Sequence, residues 1–274
     1  MRCLRIIVSI TAVISVLLMT LFFVKNLNNN NGPKISCSVD GVIEVSTKIT
    51  DQELIKFASA TDTEDGDLSD KIIVERKMYF LEKGLSTITY AVSDSDNNVT
   101  KLEKNIRFVD YYSPKIILYD DLIVPINSSV DLLSCVGVED AYEGDITHRI
   151  KMITSEFSNV VAGKYNVNFK VTNSFTDTRS INVPIIISEE DYSGAIIKLT
   201  DYIVYVPKNT KINFENYIAD IISQNGTSYT KENVVIDSNE YDSKNEGAYS
   251  VYFSINSWNK TITKARLVVV VEGE

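Results

Sequence analysis

Three stretches of the chain repeat one another at a spacing of about 80 residues, and that period constrains the fold more than any bulk property does. The repeat is clearest where TDTEDGDLSDKI (61–72) realigns 78 residues later with EDAYEGDITHRI (139–150). Asp62, Gly66, Asp67 and Ile72 return as Asp140, Gly144, Asp145 and Ile150. Asp65 matches Glu143, Leu68 matches Ile146, Ser69 matches Thr147 and Lys71 matches Arg149, so charge and shape persist where identity does not. A period longer than a solenoid unit and close to a small sandwich predicts a string of beads, not a continuous stack.

Within each repeat a glycine precedes an alternating strand. GLSTITYAVSD starts at Gly84, GKYNVNFKVTN at Gly163 and GAYSVYFSINS at Gly247. Counting on from the glycines, Ile88, Tyr90 and Val92 correspond to Val167, Phe169 and Val171 and to Val251, Phe253 and Ile255. A period of two aims one face at a core and the other at water, and the expected pairing is antiparallel. A polar turn follows (SDNNVT, SFTDTR, WNKTIT), then a second strand with Ile106 and Phe108, with Ile181, Val183, Ile185 and Ile187, or with Leu267, Val269 and Val271. Strand, turn and strand form a closing hairpin. Shorter runs upstream, KIILYDDLIVP and IIKLTDYIVYVP, end at Pro125 and Pro207, where a ladder donor is not needed. Tyr165 and Tyr249 stand two residues after their glycines, where a hydroxyl can tie a loop to the sheet or the ring can simply cover an edge.

All of this follows one apolar segment, Ile6 to Val24, of 19 residues without a charge. At 1.5 Å per residue such a helix crosses the hydrocarbon core. Arg2 and Arg5 precede it and Lys25 alone follows closely, which places the short tail 1–5 in the cytoplasm and the bulk of the chain outside. A cleaved signal peptide would have a shorter apolar region ending at a small-residue site, so an uncleaved single-pass anchor is expected over 6–24. Residues 25–34, KNLNNNNGPK, form a polar linker.

The formal charge of −10 becomes −13 over residues 26–274, which repels phosphate backbones and anionic headgroups and excludes nucleic acid as a partner. Of the three cysteines, Cys37 and Cys135 fall in different repeats and look like core residues, not a disulfide framework.

The ATDTEDGDLSDKI element, the glycine-led TYAVSDSDNNVTK strand and turn, and then VDYYSP together resemble the bacterial immunoglobulin-like repeat of surface proteins and some pesticidal crystal proteins. The resemblance is fullest over 35–112, fair over 113–190 and weak over 191–274, where the acidic element has become ADIISQNGTSYTKENVV. It implies an all-β fold of tandem Ig-like sandwiches, domain one at 35–112, domain two at 113–190 and a divergent domain three at 191–274. It also implies no enzymatic activity. Junctions as short as DYYSPK suggest that the three fold separately.

The acidic elements are the one candidate site. Asp62, Glu64, Asp65 and Asp67, with Asp140, Glu143 and Asp145 in repeat two, crowd a glycine turn and offer the oxygen ligands that calcium prefers. The same residues make turns without a metal, because Asp side chains bond nearby amides and Gly66 supplies a positive φ. No other cofactor is expected. Nucleophile elbow, phosphate loop, paired Cys-x-x-Cys and zinc-helix motifs are absent, His148 is the sole histidine, and no small-molecule substrate is anticipated. The expected role is a membrane-anchored bacterial surface protein with spacer or adhesion modules that contact another surface protein or an envelope glycan. Alternatives are an extracellular glycan-binding module and an accessory subunit of an envelope complex.

Overall fold

A computed structural model of the chain describes residues 10–21, 32–77, 79–129, 131–154, 158–190, 192, 194–224, 226–257 and 260–273. Each repeat builds a four-stranded sheet and a smaller one, three-stranded in repeats one and two and two-stranded in repeat three. Repeat one contributes β1 (Lys34–Cys37), β2 (Ile43–Val45), the helix α1 (Asp51–Ile55), β3 (Ala58–Asp62), β4 (Gly66–Asp67), β5 (Ile73–Lys77), β6 (Leu85–Ser93) and β7 (Val99–Phe108). Its sheets run β1-β3-β4 and β2-β7-β6-β5.

Repeat two follows with β8 (Lys115–Leu118), β9 (Ile123–Pro125), β10 (Val136–Asp140), β11 (Gly144–Asp145), β12 (Lys151–Thr154), β13 (Gly163–Thr172) and β14 (Thr178–Ser188). The order is β11-β10-β8 and β12-β13-β14-β9. Repeat three has β15 (Ala195–Leu199), β16 (Ile203–Pro207), β17 (Ile218–Ser223), β18 (Val235–Asp237), β19 (Gly247–Ser257) and β20 (Lys260–Glu272), paired as β15-β17 and β16-β20-β19-β18.

The glycine-led hairpins are where the alternation places them: Ile88, Tyr90 and Val92, Val167, Phe169 and Val171, and Val251, Phe253 and Ile255 are all buried. One pairing departs from the antiparallel expectation. β2, β9 and β16 each run parallel to the closing strand of their own repeat, Ile43 facing Ile106, Ile123 facing Ile186 and Ile203 facing Val268. Alternation reports which face is buried and carries no information on direction. Strands separated by most of a domain are not joined by a hairpin, so nothing forces them antiparallel.

α1 was not foreseen from hydrophobic pattern, and a local signal explains it. In TDQE, Thr50 caps the helix by accepting from Glu53 N at 3.3 Å while Glu53 Oε2 accepts from Thr50 N at 2.9 Å. That reciprocal pair is a capping box, and Leu54 is the residue it delivers to the core.

Of the apolar segment 6–24, residues 10–21 are described. They are helical, with Ile10, Val13, Leu17 and Leu21 more than half exposed. Among the described residues no helix is long and apolar enough to cross a membrane. The tail 1–5, the two ends of the segment and residues 25–31 of the linker lie outside them, as does Trp258.

The chain separates into two compact units, Met1–Tyr111 and Tyr112–Glu274. The first contains repeat one, whose core joins Ala60 of β3 to Ile88, Tyr90, Ile106 and Phe108 of the larger sheet. The second contains repeats two and three, and they share apolar packing. Ile203, Val268 and Val270 of repeat three belong to the same cluster as Val167, Phe169 and Ile185 of repeat two. β20 explains how. Ala265, Leu267, Val269 and Val271 face the core of repeat three, while Val268 and Val270 face repeat two, so the strand is buried on both sides. An unbroken apolar run, LVVVV (267–271), is what such a strand requires. The closing strand of repeat one carries Lys101, Glu103 and Asn105 on its exposed positions instead.

Candidate functional site

The acidic elements form matching turns between β3 and β4 and between β10 and β11. In the first, Asp62 Oδ1 accepts from the amides of Glu64 and Asp65 at 2.8 and 3.1 Å. Asp140 Oδ1 does the same for Tyr142 and Glu143, both at 2.9 Å. Gly66 and Gly144 close the turns with φ of 74° each, a conformation only glycine adopts without strain. Asp67 and Asp145 then accept from the first amide of the next 3-10 turn, Ser69 N and Thr147 N, at 2.9 Å.

Asp65 and Glu143 reach further, and to equivalent places. Asp65 accepts from Ser95 N at 2.6 Å and from the Ser95 hydroxyl at 2.8 Å. Glu143 Oε1 accepts from Ser174 N at 2.7 Å, and Arg149 holds the same carboxylate through Nη2 at 2.7 Å. Ser95 and Ser174 both sit in the turn of the closing hairpin, so the acidic turn is stapled to the hairpin tip in both repeats. In repeat two a buried bond from Asn173 Nδ2 to Asp140 Oδ2, 2.9 Å, reinforces the staple.

The electrostatics follow the hydrogen bonds. The amide and then the hydroxyl of Ser95 hold the Asp65 carboxyl below its ordinary value. Ser69 does so for Asp67 and Thr147 for Asp145, through hydroxyl and then amide. At Glu143 burial pushes upward, and the Ser174 amide together with Arg149 outweighs it, leaving the carboxyl lowered.

The candidate residues therefore do come together by turn, yet their oxygens point to amides and hydroxyls. The Glu64 side chain is exposed at the turn surface. Among the described residues no group of three or more His, Cys, Asp or Glu side chains is placed to hold a metal ion. The like-charge crowding that suggested a cation is relieved by donors from the protein itself. Ser95, Ser174 and Asn173 were not legible as parts of this site, although their place in the hairpin turn repeats with the acidic element.

Other sequence candidates resolve as structure. The Tyr165 hydroxyl donates to the carbonyl of Val161 at 2.9 Å and that of Tyr249 to Asn245 at 3.0 Å, each four residues upstream. Both tyrosines thus tie a loop to the sheet. His148 is exposed, and Cys37 and Cys135 are free thiols, each half-buried.

No protein-family profile matches the chain. A pesticidal crystal protein of Bacillus thuringiensis is 26% identical over 228 residues, covering 78% of this chain and 30% of the relative. An uncharacterised 81.3 kDa protein of Acholeplasma phage L2 is 27% identical over 196 residues, 66% of this chain and 26% of that one. The chain thus spans less than a third of either relative. Among solved structures, the CBM51-2 and INT domains of Clostridium perfringens ZmpB, in complex with GlcNAc, align with 56% of this chain and 41% of theirs at 16% identity and a TM-score of 0.23. The extracellular domain of protocadherin gammaB4 aligns with 90% and 50% at 12% identity and a TM-score of 0.20. Similarities this slight assign neither fold nor function.

Proposed function

We propose that the chain is a membrane-anchored, non-enzymatic surface protein whose β-sandwich repeats act as spacer and protein-interaction modules outside the cell. One observation carries the reading. Among the described residues, the acidic elements use their carboxylates to fix two turns against two hairpins, which supports a scaffold role. The shared packing of repeats two and three, through β20, supports a stiff two-repeat unit. The anchor rests on the uncharged segment 6–24 with its flanking charges.

Protease added to intact cells tests address and anchor together. The expected result is loss of everything beyond Lys25, with the full-length chain in the membrane fraction of untreated cells. Recovery of a soluble mature form beginning near residue 30, or protection from external protease, overturns the reading.

A further inference from the structure

A groove of about 690 Å³ runs between repeats two and three inside the second unit, and tyrosines line it. Tyr119 directly follows β8, Tyr202 directly precedes β16, Tyr205 lies within β16, and Tyr217 comes from the turn before β17. Glu139 and Asp201 lie along the same groove. A tyrosine ring gives an apolar face with a polar tip; Tyr202, Tyr205 and Tyr217 pack half-buried against the two cores, and Tyr119 is the exposed ring of the four.

Tyr119 is held there by a specific device. It is 60% exposed, yet its hydroxyl end lies closest to the space a Cβ would take on Gly137, the second residue of β10. A Cβ at that glycine would stand 2.8 Å from Tyr119 Cζ and 3.2 Å from Cε2. Glycine weakens a strand interior, and its use marks a close approach. Here the approaching group is the hydroxyl end of the Tyr119 phenol, and most of the side chain stays exposed to solvent. Tyr205 is fixed differently, its hydroxyl bonded to both backbone groups of Ile116 at 2.9 and 3.0 Å.

We infer that this groove binds a neutral oligosaccharide. A pyranose carries an apolar C–H face, which stacks on an exposed phenol ring, and a rim of hydroxyl donors. The carboxylates of Glu139 and Asp201 supply acceptors for that rim, beside the hydroxyl of Thr200, which already donates to Asp201 at 3.0 Å. The net charge of −10 argues against an anionic glycan. A proline-rich peptide also favours tyrosine grooves but has few N–H donors for two carboxylates, so the saccharide fits the lining better. The inference rests on the extracellular reading above.

The test is calorimetric titration of the full chain, in a zwitterionic detergent, with hexasaccharides of β-1,4-glucose, β-1,4-N-acetylglucosamine and β-1,3-glucose and with a proline-rich decapeptide. At least one saccharide is expected to bind. Tyr119→Ala should weaken it about tenfold or more with unchanged melting, since one stacking face is lost. Gly137→Ala should weaken it as well by displacing the ring, and Tyr79→Ala, an exposed tyrosine of the first unit, should leave it unchanged. Binding of the peptide alone, no saccharide bound below about 10 mM, or wild-type binding by Tyr119→Ala overturns the inference. External protease protection would instead sink the surface reading while leaving the titration intact.

Discussion

The Tyr205 hydroxyl engages both backbone groups of one residue, accepting from Ile116 N at 2.9 Å and donating to Ile116 O at 3.0 Å. A side chain of repeat three thereby completes the edge of a strand in repeat two, and burial pushes the phenol up to about 12. Tyr205→Phe removes both bonds and leaves an amide without its partner, a cost of about 1–3 kcal/mol. With Ile203, Val268 and Val270 in the same cluster, repeats two and three should melt as one cooperative transition and repeat one as another. Calorimetry of the full chain checks this, with Tyr205→Phe lowering only the transition of the second unit. Three separate transitions would show that the shared packing is energetically slight.

Arg266 is fully buried on β20. Its Nη1 donates to the carbonyl of Pro184, while Nε and Nη2 find no hydrogen-bond partner among the described residues. Burial pulls the guanidinium down to about 10, against the favourable field of Asp121. A buried, half-satisfied charge costs more than an apolar side chain of similar volume. Arg266→Met should therefore be neutral or stabilise the second unit by about 1–4 kcal/mol. Arg266→Ala should destabilise it by about 2–5 kcal/mol, because it leaves a cavity between the repeats. Urea melts of the two variants decide, and a Met variant as damaged as the Ala variant would contradict the account.

Asp121 gives the second unit an unusual pH dependence. Burial, then the adjacent Asp120, push its carboxyl up to about 7, against the Ile123 amide and Arg266. Lys264, Glu189 and Glu190 line the same cleft. The folded chain holds this proton to higher pH than the unfolded chain does. Stability is therefore lost as pH rises from about 4 to about 7 and is level above that, a fall of at most about 4 kcal/mol. Asp121→Asn should flatten the slope, measured as melting temperature of the second unit from pH 4 to 8. A wild-type unit that gains stability across that range would refute the assignment.

The strands of all three hairpins were legible because one buried face writes a period of two into residues such as Val167, Phe169 and Val171. Their tertiary use was less legible. The odd positions Leu267, Val269 and Val271 of β20 announce a core, whereas the burial of Val268 and Val270 against repeat two is not read from that alternation. The second strand of each repeat, β2, β9 or β16, pairs in parallel with the closing strand, and side-chain pattern is silent on direction. At the acidic turns Asp62 and Gly66 are local and could be read. Asp65 and Ser95 are 30 residues apart, and their contact exists only once the hairpin folds back. The groove tyrosines have the same origin, since β8 and β16 meet only in the folded unit.

The acidic turns carry the last prediction. Asp65, Asp67 and Asp145 are held below the ordinary carboxyl value by serine and threonine donors. Their contribution is fully present above about pH 4 and is lost as pH falls through the lowered folded values. Both units should therefore lose stability on acidification below about pH 4, and Asp65→Asn should reduce that slope in the first unit alone. Asparagine keeps an acceptor for Ser95 N but no longer offers a charge, so its melting temperature at neutral pH falls modestly. Calcium separates the two uses of the turn. A ligand at ten times its dissociation constant adds about 1.4 kcal/mol, roughly 6–11 °C for a domain the size of repeat one. Because amides and hydroxyls already occupy the Asp62, Asp65 and Asp67 oxygens, millimolar calcium is expected to leave the melting of both units unchanged. A calcium-dependent rise in the first two repeats that Asp65→Asn abolishes would instead make these turns metal sites.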